Sequence, residues 1–273
     1  MRRKSLAGIC ATMFLLGVSA LSWVPADFNK TDNTKTTGVT INNTEINKKH
    51  EASNLQLFTD YINNIYTEAG LSSSNLDGKV FRKAVTGYYN LKSKNLLSAN
   101  RQIVTIVDFN RSSRTKRLWI IDLENKKLLF NTLVAHGQGS GEDMATDFSN
   151  VAESHQSSLG FYVTTDIYYG KHGRSLKLDG MDTNFNTNAL DRSVVVHGAE
   201  YVSQGFINQH GRLGRSYGCP AVPVEFTNQI IDTIKDNTCL FINGPSDTYN
   251  SSYLNIDTAV ENFIKADTKI AVL

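Results

Sequence analysis

The period of the apolar positions changes near residue 100. Over residues 53–69, Leu55, Phe58, Ile62, Ile65, Tyr66 and Ala69 recur every three or four residues, the spacing that gathers side chains on one face of an α-helix, and Gly70 offers a stop. A second run, 77–92, carries Val80, Phe81, Ala84, Val85, Tyr88 and Tyr89 on the same period and is weakened by Gly87. The aromatic stripes of both need a partner surface, so they are expected to pack on the rest of the chain. Beyond residue 100 the pattern turns to short β-branched or alternating runs at 102–109, 117–123, 127–135, 158–165, 174–178, 193–197 and 238–243, with Asn125-Lys126 as a hairpin turn. One helix is expected over 223–236. Pro223 suits its first position, Phe226, Ile230 and Ile234 form its stripe, and Glu225 early and Lys235 late match the helix dipole. The tail, 247–273, has a weak helical pattern in Ala259, Phe263 and Ile264. The fold class is mainly β, a largely antiparallel domain with few helices, preceded by a small α-helical region.

The first 26 residues, MRRKSLAGICATMFLLGVSALSWVPA, have a basic start, an apolar middle and small residues at plausible cleavage positions after Ala20 or Ala26. This is the pattern of a secretory signal peptide, with an uncleaved membrane anchor as the alternative. Residues 27–50 are rich in Asn, Thr and Lys and read as a flexible linker. The domain reading is therefore signal peptide 1–26, linker 27–50, helical accessory region 51–98, main domain 99–246 and C-terminal tail 247–273. With 40% hydrophobic and 20% charged residues the 273-residue chain has a globular composition. Its formal charge of +2 includes Arg2, Arg3 and Lys4, and removing the acid-free leader leaves 2 − 3 = −1. A near-neutral protein lacks a nucleic-acid footprint.

The candidate chemistry lies in 193–223, SVVVHGAEYVSQGFINQHGRLGRSYGCPAVP. A thiolate attacks an acyl carbon when a base takes its proton and donors receive the oxyanion. Cys219 sits in a Gly-Cys-Pro turn, and because Pro220 has no N–H, a backbone oxyanion hole must use the amides of Tyr217, Gly218 and Cys219. Nearness to the 223–236 helix is expected to lower the thiol pKa. His197, next to Gly198 at the end of a valine strand, is rigidly held and is the first candidate base; His210, in the polar run 209–215, is the second. Arg212 and Arg215 flank the thiol and suit a substrate carboxylate, with Ser216, His136 and Ser149 as weaker contacts. A Cys219–Cys239 disulfide is the reading that removes catalysis, although Cys239 in its apolar run reads more naturally as a small buried side chain. The sequence holds no HExxH, Cys-x-x-Cys, Walker loop or dinucleotide fingerprint, so no cofactor and no metal is expected.

His-Gly on a strand followed by Ser-x-Gly-Cys before a helix resembles the signature of the murein L,D-transpeptidases, the YkuD-like group. The words LVAHGQGSG (133–141), SSLGFYVT (157–164), LKLDGMD (176–182) and GRSYGCPAVP (214–223) resemble its murein L,D-transpeptidase catalytic domain branch, over roughly residues 99–246. The resemblance implies an L,D-transpeptidase-like β-sandwich or barrel, Cys219 as nucleophile, and His197 as base oriented by a backbone carbonyl such as that of Gly198. It further implies peptidoglycan stem peptides as substrate, a carbapenem adduct on the thiol, and an exported protein of the periplasm or cell envelope. Two departures bear on the substrate contacts: Tyr217 stands where many members have His, and Pro220-Ala221-Val222 replaces an Arg-containing segment. The alternatives are an L,D-carboxypeptidase using water as acceptor, a non-catalytic wall-binding protein, and a cysteine peptidase of ordinary peptides. For the 51–98 helices the sharper alternative is a small wall-binding module.

Overall fold

The computed structural model describes residues 43–270. The signal-peptide reading of 1–26 and the linker reading up to residue 42 lie outside the described residues.

Eight strands form one sheet: β1 (Ile103–Asp108), β2 (Leu118–Asp122), β3 (Lys127–Thr132), β4 (Gly160–Gly170), β5 (Gly173–Gly180), β6 (Val195–Gly198), β7 (Ala221–Val222) and β8 (Cys239–Asn243), in the order β3-β2-β1-β8-β4-β5-β6-β7. All pairings are antiparallel except β1–β8 and β6–β7. The two edges meet where Ala135, just past β3, exchanges backbone hydrogen bonds of 2.8 and 3.4 Å with Ala221 of β7. The sheet is thereby nearly closed into a barrel, and the seam falls two residues from Cys219.

The central strands are buried on both faces, and their period of two sorts the side chains. Val104 and Ile106 of β1, Trp119 and Ile121 of β2, and Cys239 and Phe241 of β8 face a helical layer. Val107, Ile120, Leu240 and Ile242 face the barrel interior with Tyr162, Leu178 and Val196. The helical layer is α1 (Asn43–Glu68), α2 (Gly78–Ser93) and α5 (Ile256–Ile270), contributing Phe58, Ile65, Phe81, Tyr88 and Phe263 to one core with the sheet. The expected packing of the 51–98 helices on the β domain is thus what the structure has, and the described residues 43–270 belong to a single unit. Residues 43–50, read as linker from composition, continue α1. Gly87 is explained by close approach: a Cβ there would come 2.1 Å from the Phe161 ring of β4.

Two short helices complete the elements of the described residues, α3 (Gln204–His210) and α4 (Thr227–Ile234). The Ser203 hydroxyl accepts from the Phe206 amide at the start of α3, and Gly211, at φ +72°, ends it, so the first residues of the polar run 209–215 lie in a helix. The expected start of the next helix at Pro223 is corrected. Pro223 is extended (φ −58°, ψ 138°), a 3₁₀ turn spans Val224–Phe226, and α4 begins only at Thr227, burying Ile230, Ile231 and Ile234 in the barrel. Among the described residues no helix is long and apolar enough to cross a membrane.

Candidate active site

Cys219 lies just before β7, level with the start of β6. Its Sγ accepts from the Val195 amide at 3.4 Å and its thiol donates to the Ser193 carbonyl at 3.7 Å. The turn is fixed by a set of small polar groups. The Ser216 hydroxyl donates to the Cys219 carbonyl (2.7 Å) and accepts from the Gly218 amide (3.0 Å). The buried Ser157 hydroxyl accepts from the Gly137 amide (3.0 Å) and donates to the Gly218 carbonyl (3.1 Å). Gly218 has φ +122°, and a Cβ there would meet the Gln156 carbonyl oxygen at 2.8 Å, so only glycine suits the position.

Burial pushes the Cys219 thiol above its ordinary value, while the Val195 amide and the Arg192 guanidinium pull it down. The expected lowering by a helix N-terminus is therefore corrected: β7 and the 3₁₀ turn separate the thiol from α4. At neutral pH the sulfur is protonated and needs a base.

His197, 1% exposed, pairs with Ser175 of β5 and Ala221 of β7. Its Nδ1 lies 3.0 Å from the Gly198 carbonyl. A carbonyl only accepts, so Nδ1 carries the proton and Nε2 keeps its lone pair. Burial lowers the His197 pKa, the Gly198 carbonyl raises it and His172 lowers it, so the ring is neutral at pH 7. The His172 ring, at the tip of the β4–β5 hairpin, stacks on His197 at 4.2 Å. Among the described residues no hydrogen bond joins His197 to Cys219 in this conformation. His197 stands two residues further along the strand pair, about 6.5 Å of strand rise, since it is Ala221, two residues past Cys219, that pairs with it. His210, the other candidate, is exposed at the end of α3 with its ring against Phe206 at 4.2 Å.

Of the three amides expected to hold an oxyanion, that of Gly218 is spent on Ser216. Those of Tyr217 and Cys219 have no protein acceptor among the described residues. Tyr217 is 68% exposed, its ring stacked on His155 at 4.4 Å.

The proposed substrate contacts are differently disposed. Arg212 and Arg215 both pair with Glu142, at 2.8 and 2.7 Å, so their charge is largely answered inside the protein. His136 is 1% exposed and is no surface contact. Its Nδ1 accepts from Arg117 at 2.7 Å, its Nε2 faces the Gly141 carbonyl at 3.3 Å, and burial with the Arg117 charge holds its pKa down to about 4. Its backbone carbonyl accepts from the Ser216 amide, which makes it a support beneath the Cys219 turn. Ser149 is half-buried, its hydroxyl accepting from the Val151 amide and its carbonyl from Arg192.

Three features were absent from the sequence reading. His172 is remote in sequence from His197 and meets it only through the β4–β5–β6 register. Arg192, next to the valine strand, reaches the loop 149–158 and lies beside Gly218. A cavity of about 460 Å³ is lined by Asp166, Tyr168, Lys177, Ser193 and Val195, bringing one residue of each charge next to the thiol's own contacts. Neither this cavity nor a larger cleft of about 550 Å³, between α2 and the 251–258 segment, has Cys219 or His197 among its lining residues. Cys219 and Cys239 are both free, and Cys239 is fully buried in β8. The described residues contain no His, Cys, Asp and Glu cluster able to hold a metal.

Residues 72–243 match the family described as L,D-transpeptidase catalytic domain (YkuD_2), a match that begins ahead of residue 99 and takes in α2. A search of curated proteins finds no match. Among solved structures, the chain is similar to an L,D-transpeptidase from Mycobacterium smegmatis at 9% identity, over 52% of this chain and 58% of that one, with a TM-score of 0.32. It is similar to an LD transpeptidase in complex with imipenem at 10% identity over 52% and 59%, TM-score 0.32. It is also similar to the helical cell shape determining protein Pgp2 from Campylobacter jejuni at 10% identity over 65% and 63%, TM-score 0.36. The chain thus spans about three fifths of the length of these structures.

Proposed function

Since this chain belongs to the L,D-transpeptidase catalytic domain family, we propose that it is an exported cysteine acyltransferase of peptidoglycan. The observation that carries the reading is the composition of the barrel seam. A thiol, a neutral buried imidazole whose Nε2 makes no hydrogen bond among the described residues, and two amides without protein acceptors lie there on adjoining segments, Val195–Gly198 and 217–221, joined by the pairing of His197 with Ala221.

Cys219 turns about χ1 from its weak contacts with Ser193 and Val195 toward the ring. His197 Nε2 takes the thiol proton while the electron pair stays on sulfur and attacks the carbonyl carbon of the third residue of a tetrapeptide stem. The amides of Tyr217 and Cys219 receive the oxyanion. Collapse breaks the peptide bond to the terminal D-alanine, whose amine leaves with the proton returned by His197. An amine of a second stem then attacks the thioester, forming the crosslink and releasing the thiol; water in its place yields the carboxypeptidase product. A stem peptide carries both ammonium and carboxylate groups, and Lys177 and Asp166, lining the same cavity as Ser193 and Val195, supply both signs near the thiol's contacts.

The test is incubation of purified protein with tetrapeptide muropeptides and separation of the products. Crosslinked dimers identify transfer and tripeptides identify hydrolysis. Absence of both, with a folded protein and an intact thiol, favours a wall-binding role and refutes the enzyme.

A further inference from the structure

Three arginines on this side of the barrel are answered by carboxylates, whereas fully buried Arg117 bonds only the Val134 and Arg111 carbonyls and His136. Arg212 and Arg215 share Glu142, and Arg114 pairs with Asp143 at 3.3 Å. Arg192 differs from those three. Its guanidinium is half-buried, and every bond it makes goes to a neutral oxygen: the Ser149 carbonyl (2.6 Å), the Ser158 hydroxyl (2.5 Å), the Gln156 carbonyl (2.6 Å) and the Ser154 hydroxyl (3.3 Å). Among the described residues it has no carboxylate within ion-pair distance. A desolvated cation without a counter-charge is costly, and here four acceptors from one loop hold it in place. Its Nη2 lies 3.2 Å from where a Gly218 side chain would begin, one residue before the nucleophile.

We propose that Arg192 is the counter-cation of the Cys219 thiolate and a positioning residue of the site, its charge left unpaired in the resting protein so that the sulfur completes the pair when it loses its proton. The inference rests on the acyltransferase reading for its purpose, although its physical content concerns only the thiol. The loop that Arg192 binds is the one that holds the nucleophile turn: Ser157 bridges Gly137 to Gly218, and the Gly139 amide donates to the His155 carbonyl. One side chain therefore supplies charge and fixes geometry. The remaining titratable groups around the sulfur are His197, which receives the proton, and the Tyr201 phenol, pushed up to about 12 by burial and so neutral. Tyr162, also buried, is neutral too. His155 and Tyr217 border the turn from the outside. Once His197 is protonated, Arg192 and the imidazolium repel each other across the thiolate, which favours delivery of that proton to the leaving amine.

The experiment is the pH dependence of iodoacetamide alkylation, read by intact mass in the full chain, with Cys219→Ala as background; Cys239 is buried and serves as an internal control. Arg192→Gln is expected to alkylate about tenfold more slowly at pH 7 and to show its rate midpoint displaced upward, as loss of a nearby opposite charge requires. Arg192→Lys keeps the charge and loses the fork of hydrogen bonds. It is expected to alkylate near the wild-type rate while muropeptide turnover falls. Should Arg192→Gln not fold, Ser154→Asp sets a carboxylate against the guanidinium without cutting its backbone bonds, and its alkylation midpoint is expected to rise. An unchanged alkylation profile in the folded Arg192→Gln protein, or in Ser154→Asp, overturns the proposal. A wild type whose alkylation follows Arg192 but that leaves muropeptides untouched overturns the acyltransferase reading instead.

Discussion

Replacing Ser157 by alanine removes one hydroxyl and leaves two buried backbone groups without partners. The side chain is 1% exposed; it accepts from Gly137 and donates to Gly218 at 3.0 and 3.1 Å, and the Cβ of alanine reaches neither. Each unsatisfied buried group costs about 1–3 kcal/mol, so Ser157→Ala is expected to lose about 2–6 kcal/mol if both stay dry. That is a large part of the ~5–15 kcal/mol that holds an ordinary domain folded. Urea unfolding followed by tryptophan fluorescence reads the loss directly, since Trp119 is buried in the core shared by α2 and β2. With a slope of about 2–3 kcal/mol per molar for a chain of this size, the midpoint is expected to fall by about 1–3 M. The Gly218 carbonyl is also freed to turn, so Cys219 alkylation in native conditions is expected to change at constant pH. A stability loss under about 0.5 kcal/mol, with unchanged alkylation, would refute the view that this bridge sets the nucleophile turn.

Three further outcomes follow from the same contacts. His172→Ala removes a ring stacked on the base, and both its cover and its charge hold the His197 pKa down; the acid limb of kcat/KM is expected to move upward, and a fixed limb contradicts the contact. Gly87→Ala forces a methyl into the Phe161 ring and is expected to destabilise by about 1–3 kcal/mol through overpacking, read as a lower urea midpoint; an unchanged midpoint contradicts the close approach. His136 has a folded pKa of about 4 against an ordinary 6.5. A depressed histidine pKa means that the unfolded state binds the proton first, so its contribution is fully present above pH 6.5 and lost as pH falls from there toward 4. Between pH 6.5 and 5 the loss is about 2 kcal/mol, and His136→Gln is expected to show a smaller decline over that window.

Much of the barrel was legible because its strands are β-branched runs with turns between them, and α1 and α2 because their apolar period is regular. The two-residue β7 carries no pattern of its own and exists because Ala135 and His197 pair with Ala221 from either side. The helix after the thiol was placed too early, since Pro223 can start a helix but is held extended by the strand that precedes it. The nucleophile and base candidates could be read from residue chemistry and spacing. Their environment could not. Glu142 answers both arginines from a distant loop, and His172 and Arg192 reach the site through the hairpin and the 149–158 loop. The balance between burial and cation that sets the thiol depends on packing that no local pattern encodes.

The most direct test of the central claim is intact mass of the protein quenched during reaction with a tetrapeptide muropeptide, followed by peptide mapping. A tripeptidyl adduct is expected on the peptide containing Cys219, with one D-alanine released per adduct and none in Cys219→Ala. Stem turnover without any adduct on that sulfur, or undiminished turnover by Cys219→Ala, would contradict it.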